Sequence, residues 1–378
     1  ERDLWYSSGG SMAFPQERLS FADALTRVVD KGVAMTLKWR SVDDALQRVR
    51  HKTLTGLGGS KGILLHGKNG QGFAKGLEVY GEVLTVLGIT LTGSDEGIGP
   101  ESADVLAKFA PHNIVGSSYA HYRGYGPIPH TKDGVQHALS AVHRKLFGEK
   151  EMPVLLLGCG GIGSLLHAHL AKNRFTPLSG VIDINPSSLV SLREKHPGLN
   201  LFQDRSVRVP STAEGLSLRW NKIPSVPGLA KIIEKAKGTL LLSPNGGPHP
   251  VDFDAASALI ASGVRAVVGS ANNQAGADVT GSPDPIAWIL QAGGVCMAAD
   301  FVVNRSGAAA VISNGIVLGF AQLQQTEKLV GDAVEEEIEF AFKRGLPPFV
   351  YERQRAERAW NQRLDAGEAK AGRFRSAG

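Results

Sequence analysis

A glycine-rich turn between an apolar run and a helical pattern constrains this chain more than any other feature. The run Val154–Leu157 leads directly into Gly158, Gly160 and Gly163, which are spaced as G-x-G-x-x-G, and a second apolar run ends at Asp183. This order predicts a strand, a turn, a helix and a second strand. Gly158 permits the tight turn, Gly160 lets the backbone approach a pyrophosphate, and Gly163 allows close helix packing. The pattern therefore predicts a dinucleotide site.

The residues beside the turn indicate which dinucleotide is bound. We assign Gly161, Ile162 and Ile184 to the same cofactor site, because they complete the turn and follow the acid. A carboxylate at Asp183 accepts from a ribose 2′-hydroxyl and repels a 2′-phosphate, and residues 184–188 supply no arginine to receive one. NAD is therefore favoured over NADP. The alternative is an ordinary glycine-rich loop of an α/β protein.

Composition bounds the class of protein. A chain of 378 residues exceeds the usual size of a single core, so two domains are expected. The net charge of +5 is small and dispersed, which predicts no nucleic-acid or membrane partner. Two cysteines fit a reducing cytoplasm, and neither a transmembrane stretch, a signal peptide nor a metal site is expected.

Apolar periodicity predicts alternating helices and strands. An amphipathic helix begins at Phe21, and its pattern Ser20-x-x-Asp23-Ala24-Leu25 recurs once as Ser41-x-x-Asp44-Ala45-Leu46. The periodicity predicts strands at 62–65, 154–157, 181–183, 239–242 and 265–268, and helices at 76–87, 131–147, 255–261, 326–344 and 352–365. Alternation of this kind predicts a parallel sheet, with 205–226 as a loop-bearing insertion.

Five further stretches accompany the glycine turn, and together they resemble the glutamate/leucine/phenylalanine/valine dehydrogenases. They are Gly58-Gly59-Ser60-Lys61-Gly62, Gly93-Ser94-Asp95-Glu96-Gly97, Thr131-x-x-Gly134-Val135, Gly269-Ser270-Ala271-Asn272-Asn273-Gln274 and Asp300-Phe301-Val302-Val303-Asn304-Arg305-Ser306-Gly307. Their order also matches that family, from about Gly9 to Arg353, and the A-N-N-Q form is closest to the leucine, phenylalanine and valine branch.

The resemblance implies roles for individual residues. It makes Lys61 the catalytic lysine that activates water and Asp95 the carrier of protons. It nominates Lys38 to hold the substrate α-carboxylate, although Lys52 competes because Lys38 lies about twice the family distance from Lys61. A surface lysine and a turn aspartate are the structural alternatives for Lys61 and Asp95.

The same resemblance assigns further contacts. It gives Thr131 to the nicotinamide carboxamide, Asn272 to the neighbouring ribose or nicotinamide, and Asn304 to substrate and cofactor. A helix N-cap is the alternative for Thr131, and a turn former is the alternative for Asn304. Arg305 replaces a small alanine of the family, so it either holds a polar substrate group or points to solvent.

The implied fold is α/β with two domains separated by a cleft. An N-terminal α/β substrate domain covers 1–132, with the helices of 326–378 packing back on it, and a Rossmann-type NAD-binding domain covers 133–325. The front of the chain is short for the family, which leaves the subunit count open, and a homo-oligomer of two or more subunits is expected.

The implied activity is NAD-dependent oxidative deamination of an L-amino acid with an apolar or aromatic side chain, giving a 2-oxo acid and ammonium. Two alternatives stay open. One is a specialised dehydrogenase that uses the same hydride chemistry on an unusual amine, imine or oxo acid. The other is a non-catalytic NAD-binding protein.

Overall fold

The chain folds into two compact α/β units in a computed structural model. The first comprises residues 1–127, 305–326 and 351–378, and the second comprises 128–304 and 327–350. The structure describes residues 5–15, 20–49, 57–59, 62–67, 70–86, 91–94, 98–110, 114–115, 118, 126–204, 225–226, 228–236, 238–243, 250–271, 274–275, 284–316 and 320–375. These bounds differ from the expected ones, because 305–326 joins the first unit and 327–350 joins the second.

The first unit contains a five-stranded parallel sheet in the order β2-β1-β4-β5, with β3 also paired to β1. Its strands are β1 (Trp5–Pro15), β2 (Leu57–Gly59), β3 (Gly62–His66), β4 (Leu91–Ser94) and β5 (Ile114–Val115). The central strand β1 carries no clear apolar alternation, and the sequence did not predict it. Two strands share one side of β1, since Trp5–Ser7 pairs β2 and Ser11–Pro15 pairs β3.

The second unit contains a seven-stranded parallel sheet in the order β12-β11-β10-β6-β7-β8-β9. Its strands are β6 (Val154–Leu157), β7 (Leu178–Asp183), β8 (Asn200–Asp204), β9 (Ser225–Val226), β10 (Leu240–Ser243), β11 (Ala266–Gly269) and β12 (Cys296–Met297). The strands β6, β10 and β11 are buried along their whole length, as expected for a sheet covered on both faces. Chain order reverses between β6 and β10, which is where such sheets bind ligands.

Helices connect and cover these strands. They are α1 (Phe21–Arg48), α2 (Phe73–Val86), α3 (Pro100–Phe109), α4 (Pro127–Val142), α5 (Gly161–Leu170), α6 (Pro186–Lys195), α7 (Leu229–Lys235), α8 (Phe253–Ala261), α9 (Asp284–Ala292), α10 (Asp300–Val303), α11 (Arg305–Ile316), α12 (Phe320–Arg344) and α13 (Pro348–Arg375). Side-chain caps explain two starts: Asn185 accepts from the N–H of Ser187, and Asp252 from that of Ala255.

The two-domain α/β fold with a Rossmann-type parallel sheet is confirmed, and most helices begin or end at other residues than expected, as α1, α4 and α12 show. The repeated pattern after Phe21 forms one continuous helix, α1. The helix expected from Thr131 begins four residues earlier at Pro127, and its last five residues, His143–Phe147, form a π-helical turn. The helix expected from Thr326 begins at Phe320. The differences at α4 and α12 are boundary errors, because periodicity alone leaves the ends of helices poorly defined.

Candidate functional site

The glycine turn of the second unit has two glycines with different structural requirements. Gly158 has φ +95°, a left-handed conformation that side chains strain, so the turn itself requires glycine there. Gly160 has an ordinary φ of −70° with ψ −155°. A Cβ built on Gly160 meets no atom of the described chain within 4 Å. The fold therefore does not require glycine at 160, whereas a ligand lying against this backbone does.

The start of α5 is open to an anion. Gly160 is the N-cap of this helix and provides no side-chain hydrogen bond to the first turn, whose N–H groups lack intrahelical acceptors. Gly161 and Ile162 are the first two helical residues, and Gly163 is buried. Backbone N–H groups and the helix dipole at such a terminus favour a phosphate. The residues therefore fit the pyrophosphate of a dinucleotide.

Asp183 ends β7 and is bonded to the glycine turn. One carboxylate oxygen accepts from the N–H of Cys159 at 2.6 Å, and the other accepts from the N–H of Asn185 at 2.6 Å. Burial raises the pKa of Asp183, while the backbone donors of Asn185, Cys159 and Ile184 oppose the rise. Because a carboxylate has about four acceptor positions, Asp183 can still receive a ribose hydroxyl.

Thr131 lies in the second turn of α4 and is buried, with 7% of its surface exposed. Since α4 begins at Pro127, the alternative that Thr131 caps a helix is wrong. The first turn of α4 approaches the glycine turn, because a Cβ on Gly161 would lie 3.0 Å from Cδ1 of Ile128. Residues three apart share a helix face, so Thr131 lies on the side that Ile128 turns toward Gly161.

Asn304 is fixed at the carboxyl edge of the second sheet. Its Nδ2 donates to the carbonyl oxygen of Ser270 at 2.8 Å, just beyond the end of β11, and 1% of its surface is exposed. The N–H of Ser270 in turn donates to the carbonyl oxygen of Ser243, the last residue of β10. Asn304 thus reaches the ends of two strands beside the reversal of strand order.

Arg305 belongs to the first unit and is buried, with 2% of its surface exposed. Its Nη1 donates to the hydroxyl of Ser41 on α1 at 3.1 Å. Burial, followed by the charge of Arg48, lowers the pKa of Arg305 to about 10, while Asp44 and the Glu352 carboxylate oppose that shift. Of the two alternatives for Arg305, the one in which it points to solvent is therefore wrong, because the side chain is buried. Its role in holding a substrate group stays a prediction.

Of the remaining predicted residues, one lies in the described chain. Lys38 is half-buried in α1, one helical turn before Ser41. Four positions lie outside the described residues: Lys52, Lys61, Asp95 and Asn272.

A buried pair that sequence reasoning missed lies beside Thr131. Nδ1 of His130 contacts the Oε1 carboxylate oxygen of Glu327, the first residue of the second segment of its unit. Both side chains are more than nine-tenths buried. No local sequence pattern predicts the pair, because His130 and Glu327 are 197 residues apart in the chain.

Among the described residues, no helix combines the length and apolarity that crossing a bilayer requires. The same part of the chain holds no group of three or more His, Cys, Asp or Glu side chains arranged to bind a metal ion.

Solved structures share this fold. The L-tryptophan dehydrogenase of Nostoc punctiforme matches with a TM-score of 0.59 and 17% identity, covering 96% of this chain and 90% of that one. The hetero-hexameric glutamate dehydrogenase of Thermus thermophilus matches with a TM-score of 0.61 and 16% identity, covering 94% of this chain and 82% of that one. Glutamate dehydrogenase 2 of Plasmodium falciparum matches with a TM-score of 0.60 and 12% identity, covering 98% of this chain and 79% of that one. Neither a protein-family model nor a curated protein matches the sequence. The chain therefore has the fold of the amino acid dehydrogenases.

Proposed function

We propose that this protein is an NAD-dependent dehydrogenase that oxidatively deaminates an L-amino acid with an apolar or aromatic side chain. The observation that carries the proposal is Gly160, which stands where its own fold has room for a side chain. Beside it are an uncapped helix start and the buried Asp183 carboxylate. A pyrophosphate against Gly160 and a ribose against Asp183 account for all three features.

Each described candidate site residue of the second unit has a defined role in this proposal. The turn at Gly160 and the first N–H groups of α5 hold the pyrophosphate, and Asp183 orients the adenosine ribose and disfavours a 2′-phosphate. Thr131 and Asn304 hold the nicotinamide half, because one lies on the face of α4 turned toward Gly161 and the other at the ends of β10 and β11. NAD, when bound, supplies the acceptor for the hydride from the amino acid Cα.

The resemblance supplies the proposed chemistry of the first unit. Lys38 or Lys52 neutralises the α-carboxylate, Lys61 activates water at neutral pH, and Asp95 moves protons between the amine and water. An amino acid or its 2-oxo acid is the proposed small-molecule partner. We also propose a homo-oligomer in the cytoplasm, which size-exclusion chromatography with light scattering and localisation of a tagged chain test directly.

A substrate screen tests the function. Twenty amino acids are offered with NAD or with NADP, and 2-oxo acids with ammonium and the reduced cofactors, while absorbance at the wavelength of the reduced nicotinamide is followed. We expect turnover with NAD and an apolar or aromatic amino acid, and its loss in Lys61→Ala. NADH binding without turnover of any substrate would refute deamination of a common amino acid.

One departure from the family favours a second candidate, the dehydrogenase of an unusual amine, imine or oxo acid. Arg305 and Ser306 stand where the family has small residues, and both are buried. In that case the screen is silent with common amino acids, and a broader panel of imines and secondary amines oxidises or reduces the cofactor. A non-catalytic protein instead binds NADH with no turnover on either panel.

A further inference from the structure

The first turn of α4 is held from two sides within the second unit. On one side, Ile128 lies so close to Gly161 that a Cβ there would come within 3.0 Å of its Cδ1. On the other side, the imidazole of His130 contacts the carboxylate of Glu327 on α12. Thr131 follows directly and is itself buried. The position of Thr131 against the glycine turn therefore depends on both contacts.

A buried ionisable pair is a costly way to join two helices. Removing a carboxylate from water costs several kcal/mol, and a well-packed apolar pair of similar volume often stabilises a fold as well or better. What the pair does provide is a directional hydrogen bond. A carboxylate can only accept, so the bond must come from the Nδ1–H group of the ring. His130 consequently has one orientation against Glu327, which apolar packing alone would not specify.

Two further ion pairs between the same two helical segments, within the described residues, differ in burial. Arg144 pairs with Glu335, and Lys145 with Glu339, in the π-helical turn that continues α4 and farther along α12. These side chains are 29–59% exposed, whereas those of His130 and Glu327 are 6% and 7% exposed. Exposed pairs of this kind contribute little to stability or to position. The buried pair thus lies in the first turn of α4, directly before Thr131.

We propose that His130 and Glu327 are positioning residues that fix Thr131 for the nicotinamide half of the dinucleotide. The inference rests on the proposed function, in which Thr131 bonds the carboxamide, and it adds two residues that the resemblance does not assign. Glu327 acts through His130, and His130 acts through the backbone of α4. Neither residue touches the ligand.

The experiment compares two ligands that share the adenosine half. NADH reaches both Gly160 and Thr131, whereas ADP-ribose lacks the nicotinamide and reaches only the glycine turn and Asp183. Glu327→Ala is expected to weaken NADH by about 2- to 12-fold, the loss of one neutral hydrogen bond, and to leave ADP-ribose unchanged. Glu335→Ala removes the exposed partner of Arg144 and should change neither affinity.

Two further variants separate positioning from general stability. Glu327→Gln keeps an oxygen that accepts from Nδ1 and is expected to recover most of the NADH affinity. In a Thr131→Val background, Glu327→Ala should weaken NADH no further, because the contact it positions is already gone. Calorimetric titration gives the affinities, and thermal unfolding shows that each variant is folded. If Glu327→Ala does not fold, Glu327→Met, which removes the acceptor and keeps the side-chain volume, is compared with Glu327→Gln for both ligands and carries the same expectation as Glu327→Ala.

Specific results would overturn the inference. Equal weakening of NADH and ADP-ribose by Glu327→Ala would mean that the whole unit is disturbed. Unchanged NADH affinity, or an effect that adds in full to that of Thr131→Val, would remove the pair from any positioning role. In both cases the wild-type protein still binds NADH, so the proposed function stands. Absence of NADH binding by the wild-type protein would instead remove the proposed function, and this inference with it.

Discussion

Replacing Gly160 with alanine is expected to leave the free protein folded and to weaken its binding of NADH. The native φ of −70° suits alanine, and the new Cβ meets no described atom within 4 Å. Alanine at a compatible position gains about 0.4–1 kcal/mol from the unfolded chain, and it loses a similar amount because alanine is a poorer N-cap. The free energy of unfolding should therefore change by less than about 1 kcal/mol, or about 2–4 °C in Tm for a unit of this size.

Bound pyrophosphate should meet the added methyl group directly. Forcing a methyl into a close contact costs about 1–3 kcal/mol, which corresponds to about 5- to 150-fold in the Kd of NADH. Calorimetric titration measures the Kd, and thermal unfolding without ligand measures stability. Gly198→Ala is the matched control, since it also has open space for a Cβ and lies in an exposed turn far along the chain from Gly160. Unaltered NADH affinity in Gly160→Ala would refute the ligand explanation of this glycine.

Three further changes test other parts of the structure. Gly269→Ala would place its Cβ 2.2 Å from the carbonyl oxygen of Ser243, so we expect a loss of about 1–3 kcal/mol or more in urea unfolding. Arg305→Met should lower stability by about 1–3 kcal/mol, because the buried hydroxyl of Ser41 loses its donor, and an unchanged substrate KM would remove Arg305 from the substrate site. Burial, followed by the charge of Asp183, raises the pKa of Cys159 to about 11, and burial also raises that of Cys296. The native Cys159 thiol should thus alkylate at pH 8 about 100-fold more slowly than in the unfolded chain, with a rate that rises tenfold per pH unit, and Cys296 should react more slowly still.

The sequence predicted four of the seven strands of the second sheet, because the signals of those four are local, and it did not predict β8, β9 or β12. Four apolar residues before Gly158 form β6, and the run that ends at Asp183 forms β7, so strand and turn are each specified by adjacent residues. The expected strands at 239–242 and 265–268 appear one residue later as β10 and β11. A buried parallel strand needs only a short apolar run, and that run can be recognised without knowing its neighbours.

The first unit was predicted less well, and β1 shows why. Residues 5–15 read Trp-Tyr-Ser-Ser-Gly-Gly-Ser-Met-Ala-Phe-Pro, a stretch rich in small polar residues and glycine. Strand propensity there is low, yet the strand pairs with β2, β3 and β4. Its place in the centre of the sheet is decided by partners 51 to 84 residues away, which tertiary context supplies and local propensity does not.

Among the candidate site residues, those with a local motif were predicted and those joined only by tertiary packing were not. Gly160 and Asp183 were predicted from spacing, and the structure brings both to one turn. His130 and Glu327 carry no motif, since a histidine in a helix start and a glutamate on an amphipathic helix are ordinary residues. Only the packing of α4 against α12 brings His130 and Glu327 together, so their contact could not be predicted from a single sequence.

Two departures from the family pattern are explained by a single structural feature of the first unit. The resemblance left about ten excess residues between Lys38 and Lys61, and it placed a small residue where this chain has Arg305. In the structure, the excess continues α1 through its second repeat, and Ser41 in that repeat accepts from the guanidinium of Arg305. Arg305→Ala alone should therefore destabilise this chain, because the buried hydroxyl of Ser41 in that repeat would lose its donor. The extension of α1 and Arg305 therefore depend on each other. A variant that replaces Arg305 with the alanine of the family pattern must also shorten α1.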